Sequence, residues 1–201
     1  LSPIQPDTFY ARTKFAAEQR ILNARSANGQ PLGTVLRLCA VYGSRIKGNF
    51  KRLTHALACH RFIPIGSGLN RRTVVYDKDI GRAAMLAVSH PAAAGRVFNV
   101  TDGEVHAMNE IIESICSALG RKPPRFSLPM GPMCTLIRLI ERGTHAIGLK
   151  PLVTREMIDK YTEAIAVDGS LIQKVLGFVP QCDLTAGRKE AVEGMRARGD
   201  L

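Results

Sequence analysis

Thr34-Val35-Leu36-Arg37-Leu38-Cys39-Ala40-Val41-Tyr42-Gly43 is a mostly apolar run set between the turn sequence Ala27-Asn28-Gly29-Gln30-Pro31 and a glycine. Thr34–Leu38 reads as a buried strand, because near-continuous apolar character rather than strict alternation suits a strand covered on both faces, as in parallel sheets. Upstream, Phe15, Ala16, Ala17, Ile21 and Leu22 give one apolar face to a helix running from about Thr8 to Ala24, with Asp7 or Thr8 as its N-cap. Downstream, Val74–Tyr76 reads as a short strand feeding a helix with Asp77 or Asp79 as its cap. That helix turns Ile80, Ala83, Ala84 and Ala87 inward and precedes a strand over Val97–Val100. Strands alternating with helices predict an α/β fold around a parallel sheet.

The first helix also carries the chemistry. Tyr10 and Lys14 are four residues apart and therefore share a helix face. A cation close to a phenol favours the phenolate, which suits a tyrosine to proton transfer near neutrality. Four tyrosines in 201 residues make this spacing common by chance. The Pro-containing turn, the cap and the apolar face beside the pair give it weight.

Further along, Phe50, Leu53, Ala56 and Leu57 define a helix that opens at Gly48-Asn49-Phe50 and ends by Cys59. Phe62–Ile65 reads as a short edge strand before the glycine turn Gly66-Ser67-Gly68. Met108, Ile111, Ile112, Ile115 and Leu119 form an amphipathic helix stopped by Gly120. Helices are expected over Met133–Ile147 and from Thr154, a strand near Ala164–Val167, a short helix over Ser170–Leu176 and a polar terminal helix from about Leu184 to Arg196.

Composition narrows the function. The net charge is +11, and no Asp or Glu occurs from Gln19 to Tyr76, a window holding Arg20, Arg37, Lys51, Arg71 and Arg72 among its cations. Such a field favours a diphosphate-bearing ligand. The cations come singly or in pairs without interleaved aromatics or a nucleic-acid motif, so no nucleic-acid partner is expected. Cysteines at 39, 59, 116, 134 and 182 show no Cys-x-x-Cys spacing and read as reduced thiols. His55 and His60 flank Cys59 without the four converging ligands of a zinc site, so no metal is expected. No stretch has the length of a membrane span.

In order along the chain stand Tyr10-x-x-x-Lys14, Leu36-Arg37-x-x-x-Val41-Tyr42-Gly43, Arg72-Thr73-Val74-Val75-Tyr76-Asp77-Lys78-Asp79, Asn99-Val100-Thr101-Asp102-Gly103 and Leu176-Gly177-Phe178-Val179-Pro180. This series resembles the extended short-chain dehydrogenase/reductase family, the nucleotide-sugar epimerases, dehydratases and ketoreductases. The resemblance implies the C-terminal part of a Rossmann-type, doubly wound parallel sheet plus a smaller mixed α/β substrate-binding lobe. Residues 1–45 and 73–100 would complete the dinucleotide-binding domain, and 46–72 and 101–201 would form the lobe. The family's Gly-x-x-Gly-x-x-Gly turn is missing from this sequence, which implies that the chain begins just before the catalytic helix. By the same resemblance Tyr10 is the acid/base, Lys14 its partner and a ligand of the NAD or NADP ribose, and Asn49 and Arg72 bind the diphosphate of a nucleotide sugar. Asp79 is either a cap or a ligand contact. A cytoplasmic enzyme is implied, and a homodimer is admitted. Leu38-Cys39-Ala40 lacks the amide that sugar epimerases usually carry there, which leaves open a reductase of 4-keto nucleotide sugars or a hydroxysteroid-dehydrogenase-like oxidoreductase. An inactive remnant or binding module is the alternative of a different class.

Overall fold

The predicted strand after the 27–31 turn forms, but it breaks at Cys39 and serves two neighbours. The computed structural model of the protein describes residues 6, 8–45, 47–129, 131 and 161–201. In chain order the elements are α1 (Phe9–Asn23), β1 (Val35–Leu38), β2 (Ala40–Tyr42), α2 (Asn49–Ala58), β3 (Arg71–Arg72), β4 (Val74–Tyr76), α3 (Asp77–Ser89), β5 (Val97–Val100), β6 (His106–Ala107) and α4 (Met108–Leu119). Two helices follow, α5 (Ser170–Leu176) and α6 (Leu184–Ala197). β1 pairs in parallel with β5, Val35 beside Val97 through Leu38 beside Val100. Past Cys39 the same path pairs in parallel with β4 on Ala40–Val74 and Tyr42–Tyr76. Thr34–Leu38 and Val97–Val100 thus share a sheet, as the sequence predicts.

Helices cover both faces, because the two-residue period of a strand sends successive side chains to opposite sides. Val74 and Tyr76 of β4 enter one core with Tyr42, Leu57, Ile111, Ile115 and Val192, which belong to β2, α2, α4 and α6. Val75 enters the other with Ala83, Phe98, Val100, Ile172 and Leu176, from α3, β5 and α5. All three β4 residues are buried, which is the environment its apolar run requires. Both cores take residues from either side of the 100/101 division.

Local chemistry explains several helix ends. Thr8 caps α1 by accepting the Ala11 amide at 3.1 Å. Glu110 in the first turn of α4 accepts the Ala107 amide at 2.9 Å, and Gly120 closes that helix in the left-handed conformation at φ 72°.

The start of α3 corrects the sequence reading. The N-cap is Tyr76, which makes no side-chain cap bond, and neither Asp77 nor Asp79 caps the helix. Asp79 is fully buried. It accepts the amides of Gln181 (3.0 Å) and Cys182 (3.3 Å) and pairs with Arg82, tying α3 to the segment before α6. The strand expected near Ala164–Val167 is a single bridge, Ile165 to Arg72, and the edge strand expected over Phe62–Ile65 is a single bridge, Ile65 to Leu128. Too few successive residues find partners there for a ladder. The helices expected over 133–147 and from Thr154 lie outside the described residues.

Candidate functional site

Tyr10 and Lys14 lie together on α1, with the Lys14 ammonium 5.6 Å from the centre of the Tyr10 ring. Tyr10 is 70% exposed, and Lys14 makes no ion pair among the described residues. Two contacts set the direction of α1. A Cβ at Gly33, just before β1, would overlap Ile21. Farther along the strand, Arg37 forks onto Glu18, Nε to Oε2 at 3.0 Å and Nη2 to Oε1 at 2.5 Å. The helix therefore runs antiparallel to β1, and its first turns, with Tyr10 and Lys14, lie toward the C-terminal edge of the sheet. Ligands of open α/β sheets bind at that edge.

Arg72 and Asn49 stand on other elements. Asn49 is the exposed first residue of α2, after Gly48, whose φ of 131° favours glycine. Arg72 is half-buried on β3, paired antiparallel to His106 of β6 and bridged on its other side to Ile165. Its guanidinium donates to the Tyr161 carbonyl at 3.3 Å. Burial pulls its pKa down, against the opposing pull of Glu163. The Asn70 amide donates to the same carbonyl at 2.9 Å. Val74 beside Ala40 fixes the register, so Arg72, two residues earlier, enters at the level where β1 ends. The structure thus brings Tyr10 and Lys14 together on one helix, and carries Asn49 and Arg72 on two further elements.

Two features escaped the sequence reading. His106 Nε2, on β6, lies 2.6 Å from Asp102 Oδ2, and both side chains are buried. Burial raises the Asp102 pKa, and the bond to His106 opposes that rise. The four-residue interval between Asp102 and His106 was visible, but only the fold shows that it is buried. The second feature is Arg188. The terminal helix reads as polar, yet Arg188, Ala191, Val192 and Met195 are buried, and their three- and four-residue spacing was the available signal. At the break between β1 and β2, the thiol of half-buried Cys39 is pushed up to about 12 by burial.

Chemically, α1 offers a hydroxyl and an ammonium at the sheet edge, and β3 offers a planar cation. A hydroxyl and an ammonium side by side are hydrogen-bond donors of the kind that sugar hydroxyls accept. The sequence has no Gly-x-x-Gly-x-x-Gly turn. His, Cys, Asp and Glu do not gather in threes anywhere among the described residues. None of the described helices is long and apolar enough to cross a membrane.

The fold is that of Rossmann-type epimerases and dehydratases. The UDP-glucuronic acid 4-epimerase of Bacillus cereus, solved in complex with UDP-glucuronic acid and NAD, superposes with a TM-score of 0.68 at 20% identity, covering 98% of this chain and 55% of that one. Among curated relatives, an uncharacterised protein of Sinorhizobium fredii, y4nL, is 31% identical over 96% of this chain and 55% of its own length. The UDP-glucose 4-epimerase of Vibrio cholerae is 25% identical over 94% and 54%. The chain thus spans about half the length of the curated relatives it matches. Residues 1–101, half of the chain, match the NAD dependent epimerase/dehydratase family, and the protein belongs to that family.

Proposed function

We propose that this chain supplies the acid/base pair and the substrate grip of an NAD(P)-dependent epimerase or dehydratase acting on a nucleotide-diphosphate sugar. The observation that carries the reading is the Tyr10–Lys14 pair on an exposed helix face, aimed by the antiparallel course of α1 toward the C-terminal edge of a parallel sheet. The Tyr10 hydroxyl takes or returns the proton of a sugar hydroxyl or carbonyl, and Lys14 holds the nicotinamide ribose beside it. The nicotinamide, when bound, supplies the hydride chemistry. Arg72, with Asn49, binds the diphosphate, a task suited to a planar fork of donors. Residues 1–45 and 73–100 serve the cofactor, and 46–72 and 101–201 the substrate. This division is one of role, since both share the same cores.

The segment Leu38-Cys39-Ala40 favours a second reading. Its half-buried Cys39 stands where an amide would touch the sugar, and the segment has none. This surrounding suits a ketoreductase.

Both readings are tested in the full-length enzyme. Tyr10→Phe keeps the ring and removes the hydroxyl, so turnover falls by about 10²–10⁴ while cofactor still binds. Arg72→Ala raises the Michaelis constant for a nucleotide sugar and leaves that for a phosphate-free ketone unchanged. Full activity in Tyr10→Phe would remove the catalytic assignment, and an unchanged Michaelis constant for nucleotide sugars after Arg72→Ala would remove the substrate assignment.

A further inference from the structure

The β3–β6 ladder that carries Arg72 is short, with Arg71 beside Ala107 and Arg72 beside His106. So short a pair makes too few cross-strand contacts to hold its own position, and whatever ties it to the larger sheet decides where Arg72 stands. On the β6 side that tie is a side chain. His106 Nε2 reaches Asp102 Oδ2 at 2.6 Å, and the two side chains are 8% and 4% exposed. An ionised carboxylate only accepts, so Nε2 carries the proton and donates.

Asp102 is itself fastened at two further points. Its amide donates to the Val74 carbonyl at 2.9 Å, and its Oδ1 accepts the Glu104 amide at 3.2 Å. Val74 belongs to β4, all of whose residues are buried, so the backbone of Asp102 is joined to the core of the sheet. Beyond β6 the Met108 amide donates to the Asn70 carbonyl at 3.1 Å. Residues 102–108 therefore wrap β3 from Val74 back to Asn70, and the Asp102–His106 bond closes the wrap from inside. Directly opposed residues of an antiparallel pair have Cβ atoms about 5 Å apart on one face, so the imidazole and the Arg72 side chain start from neighbouring points. On the other flank, the Ile165 amide donates to the Arg71 carbonyl at 2.8 Å and the Thr73 amide to the Ile165 carbonyl at 3.2 Å.

We propose that His106 is a positioning residue for Arg72: bonded to Asp102, it holds the β3 backbone at the level where β1 ends, without itself touching a ligand. This role rests on the reading of Arg72 as the diphosphate grip. It is independent of the Tyr10 chemistry.

The test uses the full-length enzyme, with UDP as the probe of the diphosphate grip. His106→Leu removes the donor, and the dissociation constant for UDP, measured by calorimetry, rises by about 5–30-fold, within the range of coupling between neighbouring residues. His106→Gln offers an amide N–H near the position of Nε2 and restores most of the affinity. In an Arg72→Ala background His106→Leu has no further effect, because it acts through the guanidinium. Should His106→Leu not fold, Asp102→Asn takes its place in every measurement, since it removes the charge that His106 donates to and keeps an acceptor for the Glu104 amide. An unchanged constant in His106→Leu where Arg72→Ala weakens binding, or equal losses from His106→Leu with and without the Arg72 side chain, would overturn the proposal. A second readout needs no ligand. In enzyme carrying isotope-labelled arginine, the Arg72 Nε–H resonance shifts or broadens in His106→Leu and returns in His106→Gln. If UDP binding is indifferent to Arg72→Ala, the diphosphate reading fails and this resonance alone decides the positioning role. An Arg72 signal unmoved by His106→Leu overturns it.

Discussion

Replacing Asp79 by Ala removes a fully buried carboxylate that accepts two backbone amides, Gln181 at 3.0 Å and Cys182 at 3.3 Å, and pairs with Arg82. The Arg82 side chain is 33% exposed, so its charge returns to water at little cost, and the pair itself contributes little. The amides decide the magnitude. Each hydrogen bond to a charged acceptor contributes about 1.5–3 kcal/mol, and an amide left buried without an acceptor costs a comparable amount. Two of them give a loss of about 3–5 kcal/mol, in the range for removing one partner of a buried ionic group. In a chain of this size the thermal midpoint then falls by about 6–20 °C. Asp79→Asn keeps one oxygen acceptor and should lose about half as much. Urea unfolding monitored by circular dichroism measures both variants, with an unchanged m-value as the control that the unfolded state is the same. Because the tie joins α3 to the lead into α6, the amides of residues 181 and 182 should also lose their protection from hydrogen exchange. A loss under about 1 kcal/mol for Asp79→Ala, the size of an ordinary surface change, would refute this account.

Gly43 and Asp77 make a second test. A Cβ at Gly43 would overlap the Asp77 carboxylate, so Gly43→Ala should destabilise by about 1–3 kcal/mol through overpacking. Adding Asp77→Ala should restore most of that stability, and simple additivity in the denaturation cycle would contradict the proposed clash. A third test concerns pH. The Lys78 ammonium holds the Glu190 carboxyl below its ordinary range. A lowered carboxyl binds fewer protons in the folded than in the unfolded chain, so its contribution is present above the ordinary glutamate pKa. It is lost as pH falls through the lowered folded value. Lys78→Met should therefore be less stable than the parent at neutral pH and equal to it in strong acid. A stability difference that persists at about pH 2 would count against the pair.

The layout of the fold was legible because it rests on local signals. The apolar runs of 34–38 and 97–100 predicted the strands, and the three- and four-residue spacing of Met108 to Leu119 predicted α4. What escaped depends on partners far away in sequence. Asp79 has the composition and position of a helix cap, but its acceptors are drawn to amides more than a hundred residues later. Nothing within α3 announces them. The strand expected near 164–167 shrinks to Ile165 because pairing requires a neighbouring edge, and the β3 edge facing it is only two residues long. The terminal helix was read by its many charges. Its buried side became visible only once α4 was in place against it. Of the candidate site, the Tyr10–Lys14 pair was legible because helix geometry alone brings it together. The setting of Arg72 was not, since it is built by residues 102–106 and 161–165.

This contrast bears on how the two halves of the proposed site can act. Arg72 is held on both sides of its backbone, by His106 and by Ile165, and the His106–Asp102 contact is buried beside it. In the proposed function, a cation whose backbone is fixed in this way loses little backbone freedom on meeting a diphosphate. Tyr10 has no comparable support. α1 buries none of its own residues, and the described side-chain hydrogen bonds that join it to the sheet are those of the Glu18–Arg37 fork. The Glu18 side chain is only 11% exposed, so this fork is better shielded from salt than a surface pair and well suited to fix the axial position of the helix. Proton transfer needs heavy atoms within about 3 Å, and a shift of a single ångström is costly in rate. In the proposed function, the alignment of Tyr10 with a sugar held at Arg72 therefore depends on how firmly α1 is fixed to β1.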